Sequence, residues 1–179
     1  MQYRYKDNKI NLPKVPDYFQ DIANTLLHDL VHIQESRIIK LEKIYSFLTI
    51  YGNFVKTFSV CSKGCSHCCS IDIQMTELEA IYIHEKTGKQ ITNPTGLLST
   101  NNYSPCPFLN TNGECTIYDI RPFNCRTFHA LDDPKYCETG EDHQLYNTYT
   151  SVYYSKFFEF LLEVLNETQE IYDIRDYFA

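Results

Sequence analysis

Three features of this 179-residue sequence predict a mainly α fold, with long helices packed around a loop-rich cysteine core and a short β-hairpin. Two stretches, 17–58 and about 143–168, carry apolar residues at three- and four-residue steps, the period of an amphipathic helix. Between them lie eight cysteines in segments punctuated by Gly, Ser, Asn and Pro, which read as loops and turns. Finally, Asn112-Gly113 separates two short extended pieces, the signature of a hairpin. The length suits a single domain over 1–179. It divides into an N-terminal arm (1–16), a helical region (17–58), a cysteine core (59–140) and a C-terminal helix with its tail (141–179).

Taken in order, Pro13 and Pro16 make residues 1–16 an extended lead-in. Phe19, Ile22, Leu26, Leu30 and Ile33, then Ile38, Leu41, Ile44, Leu48, Tyr51 and Val55, keep a helical period. Asp17 stands as its N-cap, and the run is one long helix or two, with Gly52 a weak point near its end. A run this long packs against another helix or a second subunit, so a homo-oligomer stays open. Gly64 with Ser62, Ser66 and Ser70 makes 61–69 a loop. Ile71–Met75 is a very short extended piece. Thr76 and Glu79 form a capping box whose helix passes Leu78, Ile81 and Tyr82 and stops at Gly88. Residues 89–104 read as a connecting loop. The hairpin over 106–118 is followed, over 119–126, by a turn or single helical turn with Pro122 placed at its start. The third long helix then carries Val152, Phe157, Phe160, Leu161 and Leu165, and the amphipathic tail 171–178 either docks or dangles.

Composition excludes several function classes. With 43% hydrophobic and 22% charged residues the chain reads as globular. Its 15 Tyr and 11 Phe, with no Trp, suit a core with a polar rim or an exposed binding face. The net charge is −7 and no Lys/Arg run appears, which disfavours a phosphate-tracking nucleic-acid surface. The N-terminal stretch is polar, without the apolar segment of a secretory signal, and no apolar run reaches the length of a membrane span. The expected location is therefore the cytoplasm, a reducing compartment where disulfides are uncommon. Four disulfides would suit the even count, but adjacent Cys68 and Cys69 strain the geometry that pairing requires. Metal ligation is the better reading.

All eight cysteines are candidate metal ligands: Cys61, Cys65, Cys68, Cys69, Cys106, Cys115, Cys125 and Cys137. Thiolates select zinc, cuprous copper and iron–sulfur clusters over hard cations. Zinc and a four-iron cluster each take four ligands, so eight thiols suit two sites, or one site with spares. Neither the zinc-ribbon spacing nor the bacterial ferredoxin run is present. The segment Cys61-x3-Cys65-x2-Cys68 is similar to the cluster motif of radical S-adenosylmethionine enzymes. Those, however, need a succession of βα units, and here one helix, a loop and a hairpin follow. Arg121 and Arg126 flank Cys125, placed to lower its pKa or to hydrogen-bond ligand sulfurs. His67, His129 and His143 are outside candidates for replacing a Cys. Phe108, Phe123 and Phe128 read as core packing rather than a dry shell for a cluster. His28 and His32, four apart on a helix, read as a half-exposed face rather than a protease-type zinc site, since Asp29 stands where that motif has Glu.

Taken together, the segments resemble the YkgJ-like, or CxxCxxCC, family of zinc- or iron-chelating proteins. The likeness rests on Cys61-x3-Cys65-x2-Cys68-Cys69, the Thr76–Glu79 capping box, Cys106-Pro-Phe-Leu, Gly113-x-Cys115-x-Ile-Tyr, Arg121-Pro-x-x-Cys125-Arg and Cys137. It covers about 58–140. What the resemblance implies is metal binding and, for some members, an iron–sulfur cluster. A relative, flagellin lysine N-methylase, is a larger protein that uses this kind of cysteine domain to methylate lysine, and this chain is too short to be that whole enzyme. The expected cofactor is an iron–sulfur cluster, of the four-iron, four-sulfide (4Fe-4S) type, or alternatively zinc. The functions left open are an iron–sulfur oxidoreductase, a lysine-methylase-like transferase, a structural zinc module and a metal-handling protein. No catalytic residue and no protein or small-molecule substrate can be named from the sequence.

Overall fold

In the computed structural model, which describes residues 10–94, 104–139, 141–168 and 170–178, the helical period over 17–58 resolves into two helices. These are α1 (Tyr18–His32) and α2 (Arg37–Val55). The break between them is satisfied locally. Lys40 on α2 donates to the Leu30 carbonyl at 2.6 Å, filling an acceptor left open at the end of α1. The Ser36 hydroxyl caps α2 by accepting from the Ile39 amide at 3.3 Å. Asp17 does sit at the N-cap of α1 but makes no side-chain cap bond there, and its carboxylate pairs with Lys14 at 2.9 Å. Gly52 is helical and buried, and the helix runs past it to Val55.

The cysteine loop ends in a 3-10 turn, His67–Ser70, and leads to strand β1 (Gln74–Thr76) and helix α3 (Glu77–Thr87). Both halves of the Thr76/Glu79 capping box are formed, and Gly88 ends α3 in the left-handed conformation at φ 73°. The short α4 (Phe123–Thr127) starts after Pro122. Strand β2 (His129–Ala130), α5 (Lys135–Thr139) and β3 (Leu145–Tyr146) follow. The 89–104 loop lies partly outside the described residues, as does the arm before Ile10.

One expectation is met in a short form and one is corrected. The hairpin over 106–118 closes on one antiparallel bridge pair, Leu109 with Cys115. It is flanked by bonds from the Asn110 amide to the Glu114 carbonyl and from the Thr116 amide to the Phe108 carbonyl, both at 2.9 Å. The Asn110 side chain, accepting from the Asn112 and Glu114 amides, shapes its turn. The third long helix begins only at α6 (Val152–Phe160) and ends in a π turn, Leu161–Leu165. Residues 143–151 instead supply β3 and a turn held by Asn147, whose side chain accepts from the Tyr149 amide at 2.9 Å.

The tail docks. Strand β4 (Ile171–Asp173) pairs antiparallel with β1, Gln74 opposite Asp173, and α7 (Ile174–Tyr177) follows. Apolar side chains gather in two clusters. The larger joins α1, α2 and α6 through Phe19, Phe47, Tyr51 and Phe157. Buried hydroxyls in it find partners: Tyr51 and Tyr146 pair at 2.5 Å, and Tyr154 pairs with His129 at 3.0 Å. The smaller cluster, with Met75, Ile83, Phe108, Ile117 and Phe178, carries Cys106, Cys115 and Cys125 on its flank. Among the described residues helices dominate and the strands form two small antiparallel pairs, so the fold is mainly α.

Candidate metal centre

All eight cysteines are free thiols, and all except Cys137 line one cavity of about 80 Å³. Its remaining wall is largely apolar, with Ile73, Ile117, Phe128 and Ile174, and Arg121 and Lys56 at its edge. The thiols surround this hollow rather than close on a point. Among the described residues, no three His, Cys, Asp or Glu side chains form a group that would hold a single ion.

Backbone hydrogen bonds set the positions of the sulfurs. The Cys69 amide bonds the Ser66 carbonyl at 2.8 Å, winding the adjacent pair into the 3-10 turn. The Cys106 amide donates to the Cys69 carbonyl at 2.9 Å, which ties the second cysteine segment to the first. Cys61 is fastened to β2 from both sides. The Val60 amide donates to the Ala130 carbonyl at 2.9 Å, and the Ala130 amide donates to Cys61 Sγ at 3.1 Å. Cys137, on α5, is buried, and α5 is pinned to the 3-10 turn by the His67–Glu138 pair at 2.8 Å.

Burial dominates the thiol chemistry. It pushes Cys61 and Cys106 up to about 11 and Cys137 to about 12, and it raises Cys115 and Cys125 as well. Arg121 pulls Cys125 the other way, but burial wins, so the expected lowering of this thiol does not occur. The adjacent pair differs. Cys68 and Cys69 share a hydrogen bond that leaves the proton on Cys68, raising it, and draws Cys69 down to about 7, with Arg175 and Arg121 adding their charge. Any metal that took these thiols as thiolates would therefore displace protons from most of them.

Neither arginine beside Cys125 bonds a sulfur in the way the sequence suggested, since both guanidinium groups are engaged by backbone carbonyls. Arg121 Nε donates to the Cys125 carbonyl at 3.1 Å and Nη1 to Tyr118 at 2.9 Å. Arg126 donates to the carbonyls of Arg121 and Asp119 and stacks on the Tyr45 ring at 4.2 Å. Of the histidines, His67 pairs with Glu138, and His129 is buried and held neutral near 4 by desolvation. His143 turns Nδ1 to Asp132 at 2.8 Å and Nε2 to Cys137 Sγ at 3.7 Å. Phe108 and Phe123 are core residues, while Phe128 faces the cavity. His28 and His32 lie ring to ring at 4.5 Å on α1.

Two anchors escaped sequence reasoning. Arg175 donates to the carbonyls of Cys69 at 2.9 Å, Ile71 at 3.2 Å and Ser104 at 2.7 Å, and it pairs with buried Asp173. Glu79, beyond its capping role, accepts from the Tyr45 hydroxyl at 2.7 Å and the Phe123 amide at 2.6 Å. The Asp173-x-x-Asp176 capping box was the one local sign that the tail is ordered.

The family model CxxCxxCC, described as a "putative zinc- or iron-chelating domain", matches residues 60–150, just over half of the chain. The chain belongs to this family. That description agrees with the gathered thiols and supports metal binding in general terms. No curated protein and no solved structure is detectably similar to the chain. Among the described residues, no helix is long and apolar enough to cross a membrane.

Proposed function

We propose that this CxxCxxCC protein holds iron as thiolate-ligated iron–sulfur, with the ligands drawn from the eight cysteines. The observation that carries this reading is the cavity of about 80 Å³ ringed by seven thiols. About 10–15 Å³ of such space holds one water molecule, and four thiolates on one zinc ion at about 2.3 Å leave no hollow between them. A cluster places iron and sulfide between its ligands and needs room of this kind. The donor set fits, since soft sulfur suits iron–sulfur chemistry, and the apolar wall keeps water away.

Such a cluster supplies redox or group-transfer chemistry when bound. The chain's own residues hold and shelter the sulfurs: Arg175 and Arg121 fix the carbonyls of Cys69 and Cys125, and Arg121 lines the cavity beside the thiols. Protein purified without oxygen is expected to be brown, with visible charge-transfer absorption that bleaches on reduction. A colourless preparation with stoichiometric zinc overturns the iron reading in favour of a structural zinc module.

A further inference from the structure

We propose that the eight thiols form two separate metal centres of four, divided between the adjacent residues Cys68 and Cys69; this rests on the reading of the cysteines as ligands. One centre takes Cys61, Cys65, Cys68 and Cys137. The other takes Cys69, Cys106, Cys115 and Cys125.

The backbone already sorts most of them. Cys69 and Cys106 are joined by a hydrogen bond from amide to carbonyl at 2.9 Å. Cys115 lies across the bridge from Leu109, whose amide bonds the Cys106 carbonyl at 2.9 Å. Cys106, Cys115 and Cys125 then share the flank of the smaller apolar cluster. On the other side, Cys61 is bound to β2, and the chain leaving β2 reaches Cys137 within seven residues of Ala130. Cys65 sits in the same loop as Cys61, its amide bonded to the Ser62 carbonyl at 3.1 Å. The 3-10 turn that carries Cys68 is tied to α5, the helix of Cys137, by the His67–Glu138 pair at 2.8 Å, and Cys68 completes the first set to four.

Two further facts favour more than one centre. A tetrathiolate site uses four ligands, so a single centre leaves half of the sulfurs idle. Cys137 also lies outside the wall of the cavity that the other seven thiols line, yet is buried. The 3-10 turn makes the division possible, because with about three residues per turn successive side chains diverge by roughly 120°. Each set has its own brace. Asp132 orients His143 against Cys137 at 2.8 and 3.7 Å, a carboxylate–histidine pair of the kind that supports metal ligands. Arg175 and Arg121 hold the backbone of the second set.

The test is reconstitution of the full chain with iron and sulfide under anaerobic conditions, followed by iron counting. About eight iron atoms per chain are expected, and about half of them in Cys65→Ser, Cys137→Ser, Cys115→Ser or Cys125→Ser. The decisive comparison is between double variants. Cys65→Ser/Cys137→Ser stays at half, whereas Cys65→Ser/Cys115→Ser loses all iron. Equal loss in both doubles overturns the division. Should the variants fail to fold, the reduced wild-type protein answers alone: two interacting electron spins per chain support two centres, and one isolated spin refutes them. Zinc in place of iron overturns the iron–sulfur reading by itself, and the division then predicts two zinc ions per chain, with one refuting it. A chain that takes up no metal overturns both.

Discussion

Replacing Glu79 by glutamine removes the acceptor on which three segments converge. The carboxylate is buried, at 2% exposure. One oxygen accepts from the Tyr45 hydroxyl and the Phe123 amide at 2.7 and 2.6 Å, and the other accepts from the Thr76 amide and hydroxyl at 2.9 and 3.1 Å. An amide side chain keeps one oxygen and turns an N–H pair toward the remaining donors. The two hydroxyls can rotate to accept from it, but whichever way the amide is flipped, one backbone N–H, of Thr76 or Phe123, faces a donor. One unsatisfied buried donor costs about 1–3 kcal/mol, and the surviving bonds lose their charge assistance, so Glu79→Gln is expected to cost about 2–4 kcal/mol. At a urea dependence of about 2 kcal/mol per molar for a chain of this size, the unfolding midpoint falls by roughly 1–2 M. Far-UV circular dichroism in urea, on wild type and variant loaded identically with metal, measures it. Because the Phe123 amide is two residues from Cys125, metal content should fall as well. A midpoint shift under about 0.3 M refutes the reasoning.

The buried thiols set a pH dependence whose sign differs between the two metal states. In the metal-free protein Cys61 and Cys106 titrate near about 11 against an ordinary 9.0, so their stabilisation is complete below pH 9 and is lost as pH rises toward 11. The loss is up to about 3 kcal/mol for each thiol, at 1.36 kcal/mol per unit. Urea midpoints of chelated protein between pH 8 and 11 should fall less steeply in Cys106→Ser than in wild type, and parallel curves refute the assignment. With metal bound the direction reverses, since acid returns protons to the ligands, so metal release on lowering pH should accompany proton uptake measurable by titration. Arg175→Ala leaves Asp173 buried without its cation and frees the Cys69 carbonyl. Its expected cost of about 3 kcal/mol lowers the calorimetric midpoint by roughly 6–12 °C. An unchanged midpoint would show that the tail does not clamp the cysteine loop.

What could be read from the sequence were features whose partners lie within a few residues. The Thr76/Glu79 capping box, the left-handed stop at Gly88, the start of α4 after Pro122 and the period of α1 and α2 all rest on bonds or packing one turn away. The cysteine spacing likewise marked the metal-binding segment and its family before any coordinates. Tertiary structure decided the rest, because the deciding partners are distant along the chain. The break at 33–36 depends on Lys40 reaching back to α1. The hairpin expected within 106–118 forms as a single bridge pair around the Asn110 turn, while β1 found its partner almost a hundred residues away in a tail that the sequence left undecided. Glu79 showed its capping role in the sequence, but its other oxygen serves Tyr45 and Phe123, which only folding brings near. Arg121 and Arg126 showed their charge and not their destination, since carbonyls exposed by irregular backbone claimed both. Where each thiol sits follows from the same long-range contacts, for a spacing lists the sulfurs but the packing of β2, α5 and the tail around the 3-10 turn positions them.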